Sequence, residues 1–261
     1  MIIPNLPAAA LTDAQAGLSV STSNVLLSLV PTTTNGGVGE VPAFISDPDH
    51  SSTYTSNGAG DLSVSYGAVA NISYIAVSGH TATTDGVAVV QLLDGSTLVD
   101  AVQLVRNNNV MFTFTKRGFA DLTIKFVTTQ ANSLVTVSYI AAGEYMAITK
   151  GEQGGYSRAW LDRHLTQQSS SNFNSAPTAV TQKRKALKVS LSLPNQWITF
   201  AEDTWQSFID FSFTQPFFIK EAVSKPQSSY VCYNPRSQVK AHSSTRKLDA
   251  ISLKFDAYNG L

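Results

Sequence analysis

Val110-Met111-Phe112-Thr113-Phe114-Thr115, followed by Leu122-Thr123-Ile124-Lys125-Phe126 and Val135-Thr136-Val137-Ser138-Tyr139, sets bulky apolar residues at every second position. Successive side chains of a strand point to opposite faces, so a period of two is the pattern of strands with one buried face. The pattern recurs further along the chain. Leu187, Val189, Leu191 and Leu193 alternate with Lys188, Ser190 and Ser192, and Ile251, Leu253, Phe255 and Ala257 alternate with Ser252, Lys254 and Asp256. Between such runs stand turn residues: Asp94-Gly95 suits a tight hairpin, and Asn35-Gly36-Gly37 and Asn57-Gly58 suit loops. No long amphipathic helix is expected; the best candidate, 157–168, is short and equally suits a linker. The reading is all-β: an N-terminal antiparallel β-sandwich and a smaller C-terminal β domain.

At 261 residues the chain is long enough for two domains. Residues 1–16 read as an N-terminal arm and 17–149 as the sandwich. Residues 150–183, rich in Gly, Ser, Gln and Asn, read as a linker or extended arm. Residues 184–261 then form a small β domain with four or five strands. Charge supports a division near Lys150: 5 basic against 10 acidic residues over 1–150, 13 against 8 over 151–261. Four or five strands make a thin core, so this part is expected to complete its packing against the first domain or another subunit.

Charged residues make up only 14% of the chain, against roughly 25% in an ordinary soluble domain, and hydroxyls and amides carry the polar surface instead. Such a surface suits burial against partners, because a desolvated hydroxyl costs less than a desolvated charge. No concentrated basic face points to nucleic acid. No stretch nears the roughly 20 apolar residues of a membrane helix. The first residues, Met1-Ile2-Ile3-Pro4, lack the basic and apolar regions of a signal peptide, so synthesis in the cytosol is expected. The single cysteine, Cys232, reads as a small buried hydrophobe.

Catalytic chemistry finds no foothold. His50, His80, His164 and His242 each read as solvated loop residues, unpaired at metal-ligand spacing. Asp47-Pro48-Asp49-His50 reads as a turn, and no nucleophile elbow, phosphate loop or zinc-protease motif is present. The expectation is a protein without enzymatic activity, cofactor or metal. Lys183-Arg184-Lys185 reads as a solvated edge. The aromatic segment holding Trp197, Trp205, Phe208, Phe211, Phe213, Phe217 and Phe218 reads partly as core. The adjacent Phe217 and Phe218 put one ring on each face of a strand, so one of them is expected to meet another surface. Trp160, Trp197, Trp205, Phe217 and Phe218 are the candidate assembly interface.

The order of features in the first half resembles the discoidin, or galactose-binding-like, sandwich. Ser21-Thr22-Ser23-Asn24 leads to a loop with Asp47, then to Tyr54-Thr55-Ser56-Asn57, the strand Leu62–Tyr66 and the run Ile72–His80. Tyr54 stands where that family commonly carries Trp. The run Val135–Ala147, with Gly143-Glu144-Tyr145, is similar to this fold as used in tailed-bacteriophage virion proteins. Gln215-Pro216-Phe217-Phe218-Ile219 and Ser229-Tyr230-Val231-Cys232-Tyr233 resemble the C-terminal part of tail-tip and baseplate components. The resemblance implies a virion protein, assembling as a ring with itself and with neighbouring virion proteins and facing host-surface carbohydrate. The other reading it leaves open is a free-standing carbohydrate-binding module or adhesin. For either, Asp47, Tyr54, Asn57 and His80 are the candidate glycan contacts, an aromatic beside amide, carboxylate and imidazole groups.

Overall fold

The computed structural model describes residues 3–4, 16–48, 52–82, 87–104, 109–128, 132–149, 155–157, 165–171, 177–184, 187–222, 224–241 and 247–258. Its strands run β1 (Ile3–Pro4), β2 (Ala16–Ser21), β3 (Thr32–Thr34), β4 (Tyr54–Thr55), β5 (Leu62–His80), β6 (Val87–Asp94), β7 (Thr97–Gln103), β8 (Val110–Thr128) and β9 (Thr136–Gly143). They continue as β10 (Tyr145–Thr149), β11 (Gly155–Ser157), β12 (Leu165–Ser171), β13 (Pro177–Arg184), β14 (Leu187–Trp197), β15 (Phe217–Lys220), β16 (Ser229–Ala241) and β17 (Lys247–Tyr258). A helical stretch over 198–214 ends in the α-helix Gln206–Thr214. The chain is all-β, and every strand pair is antiparallel.

One sheet has seven strands, ordered β4-β9-β5-β8-β6-β7 with β3 also on β5. Its two longest strands, β5 and β8, pair along most of their lengths. Four register shifts between Ser65 and Tyr74, with Gly67 at φ 68° and Asn71 at φ 56°, bend that pair. Bulges add curvature and twist, so both halves of β5 reach the same interior. Leu62, Val64, Tyr66, Ile75 and Val77 meet Phe112, Leu122, Ile124 and Phe126 there. Asp94-Gly95 does form the β6–β7 hairpin turn, with Gly95 at φ 59°.

The other large sheet has eight strands, ordered β1-β10-β2-β15-β16-β17-β14-β11, while β12 and β13 pair as a separate ribbon between Leu165 and Arg184. Strands from residues 3–149 and from residues 155–258 share the eight-stranded sheet. β2 and β10 place Leu18, Val20, Met146 and Ile148 in one core with Val189, Leu191, Phe217, Ile251, Leu253 and Phe255. The helix covers this core through Trp205, Phe208 and Ile209. Trp205, Phe208, Ile209 and Ser212 are all buried, at a spacing of three, four and seven residues, which is the stripe of an amphipathic helix. The aromatic segment therefore holds a helix where strands alone were expected.

The opposite face of the eight-stranded sheet packs on the seven-stranded one. Tyr74, Ala76, Met111, Tyr139 and Ala141 meet Tyr145, Ala147, Phe218 and Val231 in a buried seam. From Ile72 to His80 every residue of β5 is buried, because this half of the strand has a packed layer on both faces. The polar residues in the seam are paired: Ser73 Oγ accepts from the Tyr145 amide at 3.1 Å, and Ser78 Oγ donates to Asn109 Oδ1 at 2.9 Å. Asn109 Nδ2 then donates to the Tyr258 carbonyl at 2.8 Å, and the Met111 amide to the Pro226 carbonyl at 2.9 Å. Buried Lys220 reaches across to Thr113 Oγ1.

This arrangement corrects the expected assembly interface. Trp205, Phe217 and Phe218 lie at 2%, 0% and 0% exposure inside the chain itself. The two phenylalanines do face opposite ways, as alternation requires. Phe217 stacks edge-on to Phe208 and Phe255, and Phe218 lies parallel to Tyr139 with ring centroids 5.9 Å apart. The surface that Phe218 meets belongs to the other sheet of the same chain. The C-terminal strands are not short of partners, because β2 and β10 complete their sheet. Trp197 is paired through its backbone with Lys247; its side chain, like Trp160, lies outside the described residues. Cys232 is fully buried, and burial raises its thiol pKa well above the ordinary value.

Phe218→Ala should therefore unfold both sheets more easily and together. Removing a buried phenylalanine costs about 3–5 kcal/mol. A urea titration followed by tryptophan fluorescence and far-ultraviolet circular dichroism should give one coincident transition at a lower midpoint. A second transition left at the wild-type midpoint would contradict a shared seam.

Candidate functional site

The structure brings two of the four expected glycan contacts together but turns them inward. Tyr54 on β4 and His80 at the end of β5 are register partners of the same β9 residue, Val137. Tyr54 is 2% exposed and belongs to the first core, and its hydroxyl shares a 2.5 Å hydrogen bond with Thr33 Oγ1. His80 is fully buried, its ring centroid 6.4 Å from that of Phe126. Neither ring can stack on a sugar, and His80 is not a solvated loop residue. Asp47 and Asn57 are exposed, but Asn57 Oδ1 accepts from the Ala59 amide at 2.8 Å, closing its own turn. His50, His164 and His242 lie outside the described residues.

The Asn35-Gly36 turn exists to admit Tyr54. A Cβ at Gly36 would stand 1.8 Å from the Tyr54 hydroxyl oxygen. The loop reading of this dipeptide was right, but the glycine serves close approach to a core side chain.

Among the described residues no group of three or more His, Cys, Asp or Glu side chains could hold a metal, and no helix is long and apolar enough to cross a membrane. The perturbed carboxylates are surface pairs. Asp61 accepts from the Thr128 amide and pairs with Lys125; burial works against its charged form, yet these partners hold its pKa below the ordinary value. Asp94 is also lowered, by the backbone amides of Asp121 and Ala120 and by Arg117.

A cleft of about 490 Å³ opens instead in the C-terminal half, between the end of the helix and β16. The helix stops where Thr214 Oγ1 donates to the Phe211 carbonyl at 2.9 Å and the Gln215 amide donates to the same oxygen at 3.0 Å. Gln215 then turns to extended backbone ahead of Pro216. On the facing strand the β16–β17 register jumps from Tyr233↔Asp256 to Arg236↔Lys254. Asn234, at φ 51°, and Pro235 occupy the bulge. Asn is one of the few residues tolerated at positive φ, and Pro has no N–H for the ladder.

Phe213, Gln215, Tyr233, Asn234 and Arg236 line this cleft. Phe213 is 64% exposed, off the buried helical stripe. Gln215 Oε1 is buried and finds no hydrogen-bond partner among the described residues. Asn234 Nδ2 donates to Asp256 Oδ2 at 3.2 Å. An exposed aromatic beside a buried acceptor and a guanidinium can hold a ligand that offers an apolar face and hydroxyl edges. Sequence reasoning missed the cleft because Phe213 was read within an aromatic segment divided between core and a contact with another surface. Two signals were present: its place off the helical stripe, and the Asn234-Pro235 breaker inside an alternating strand.

No protein-family model and no curated protein matches the chain. Among solved structures it is similar to a fucose-binding module of Streptococcus pneumoniae, with 10% identity over 47% of this chain and 98% of the module (TM-score 0.37). It is similar to a family 32 carbohydrate-binding module of C. perfringens in complex with galactose, with 16% identity over 47% of this chain and 98% of the module (TM-score 0.37). It is also similar to the lectin domain of lectinolysin complexed with Lewis B antigen, with 11% identity over 48% of this chain and 98% of the domain (TM-score 0.37).

Gly36→Ala should force the Tyr54 hydroxyl or the turn to move, at a cost of about 1–3 kcal/mol for an overpacked core. A thermal melt lowered for Gly36→Ala checks this. A wild-type melting temperature would mean that the turn has room the geometry denies.

Proposed function

We propose that this chain is a non-catalytic carbohydrate-binding protein that takes its ligand in the cleft between the helix end and the β16 bulge. One observation carries the reading: exposed Phe213 lines the same cleft as the buried Gln215 Oε1, which has no partner among the described residues. Apolar side chains are usually withdrawn from water, and buried acceptors are usually paired. A sugar meets both needs, laying the apolar face of its ring on Phe213 and donating a hydroxyl to Gln215. Catalysis has no support here, since the cleft holds no carboxylate pair and no nucleophile with a base.

Phe213→Ala should weaken binding to the preferred oligosaccharide roughly fivefold, because an aromatic stack contributes about 1 kcal/mol. The fold should be unaffected, since the ring is mostly exposed. Titration calorimetry after a glycan-array survey reads this directly. Wild-type affinity in the variant, or no glycan bound at all, would overturn the reading.

A second reading, assembly with copies of itself as in a virion substructure, draws on a different surface. Of ten exposed large apolar residues among those described, six lie in one stretch: Val25, Leu27, Val30, Val38, Val41 and Phe44. If that stretch is an interface, sedimentation should show a concentration-dependent oligomer that Val30→Ser with Val38→Ser disperses. A protein monomeric at every concentration would remove this reading.

A further inference from the structure

Resting on the carbohydrate reading of the cleft, we infer that the saccharide it takes is acidic, carrying a carboxylate that Arg236 receives. The two walls of the cleft differ in polarity. The helix side presents acceptors: buried Gln215 Oε1 and the carbonyl end of the helix Gln206–Thr214, the negative end of its dipole. That wall calls for hydroxyl donors. The strand side presents positive charge. Arg236 lines the cleft and is exposed at the bulge; its register partner on β17, exposed Lys254, stands next to the cleft and not in its lining.

Like charges directly opposite on neighbouring strands destabilise a sheet. Among the described residues neither cation has an ion-pair partner; the ion pairs present join Lys116 to Glu144, Arg117 to Asp94 and Lys125 to Asp61. The nearest carboxylate in the ladder, Asp256, accepts from Asn234 Nδ2 and stands opposite Tyr233 rather than Arg236. An anion between Arg236 and Lys254 would relieve this repulsion, and a guanidinium fork matches a planar carboxylate with two parallel hydrogen bonds. A small inorganic anion offers nothing to Gln215 or to the Phe213 ring. A neutral sugar leaves the two cations facing each other. A uronic-acid saccharide supplies ring face, hydroxyls and carboxylate together.

The test compares galacturonic-acid oligosaccharides with the same oligosaccharides after reduction of their carboxyl groups. Titration calorimetry would use the full chain and its Arg236→Gln and Phe213→Ala variants. Both side chains are exposed, so neither substitution should disturb folding, and unchanged thermal melts confirm it. The wild type should bind the acidic form at least about tenfold more tightly, the scale of a hydrogen bond to a charged group. Arg236→Gln should erase that difference, and added salt should weaken the acidic form alone. Equal wild-type affinity for both forms, lowered by Phe213→Ala, would overturn the acidic class and leave the carbohydrate reading standing. Binding of neither form by any of the proteins would overturn the acidic class and weigh against the carbohydrate reading beneath it.

Discussion

Phe218 lies between two sheets, and the rest of the molecule is arranged around that fact. Its ring stacks on Tyr139 of the seven-stranded sheet, and its amide donates to Ser21 Oγ of β2 at 2.7 Å. One residue earlier, Phe217 points the other way into the core closed by Trp205 and Phe208. A four-residue strand, β15, thus joins three layers: the curved N-terminal sheet, the eight-stranded sheet and the helix. Burial on both faces demands an apolar run instead of an alternating one, and Phe217-Phe218-Ile219 is such a run.

The seam also fixes the cleft. β15 ends its pairing at Phe217↔Cys232, so among the described residues β16 beyond Cys232 has no strand beside it on that edge. The helix packs there instead, tied by Trp205 Nε1 donating to Ser237 Oγ at 3.1 Å. The gap between the helix end and the bulged strand is the cleft. Its position follows from a short strand next to a long one, with Asn234-Pro235 turning β16 just past the point where its pairing with β15 ends.

Much of the fold was legible in the sequence because alternation is a local signal. Val110–Thr115, Leu122–Phe126, Leu187–Leu193 and Ile251–Ala257 all lie in strands. The hairpin at Asp94-Gly95 was legible for the same reason. Pairing between distant strands leaves no local mark, so nothing near Leu18 or Ile148 announced that they would share a core with Phe255. The helix was hidden because its aromatic composition suits strands, although the spacing of Trp205, Phe208, Ile209 and Ser212 was readable. Tyr54 and His80 were placed on the surface because polar neighbours suggested loops. Polar neighbours such as Thr55 and Ser78 are paired inside the sheet, with Thr136 Oγ1 and Asn109 Oδ1, while the rings themselves fill the interior. Of the cleft, Phe213 had been singled out within an aromatic segment read partly as core, and Gln215, Pro216 and Tyr233 only within stretches quoted for a resemblance.

The cleft at the helix end is proposed to hold a saccharide. A crystal structure grown with a galacturonic-acid oligosaccharide tests it most directly. The expected result is a sugar ring against Phe213, a hydroxyl within hydrogen-bond distance of Gln215 Oε1 and a carboxylate at Arg236. A saccharide bound only on the loops of the N-terminal sheet, with the cleft unchanged, would contradict it.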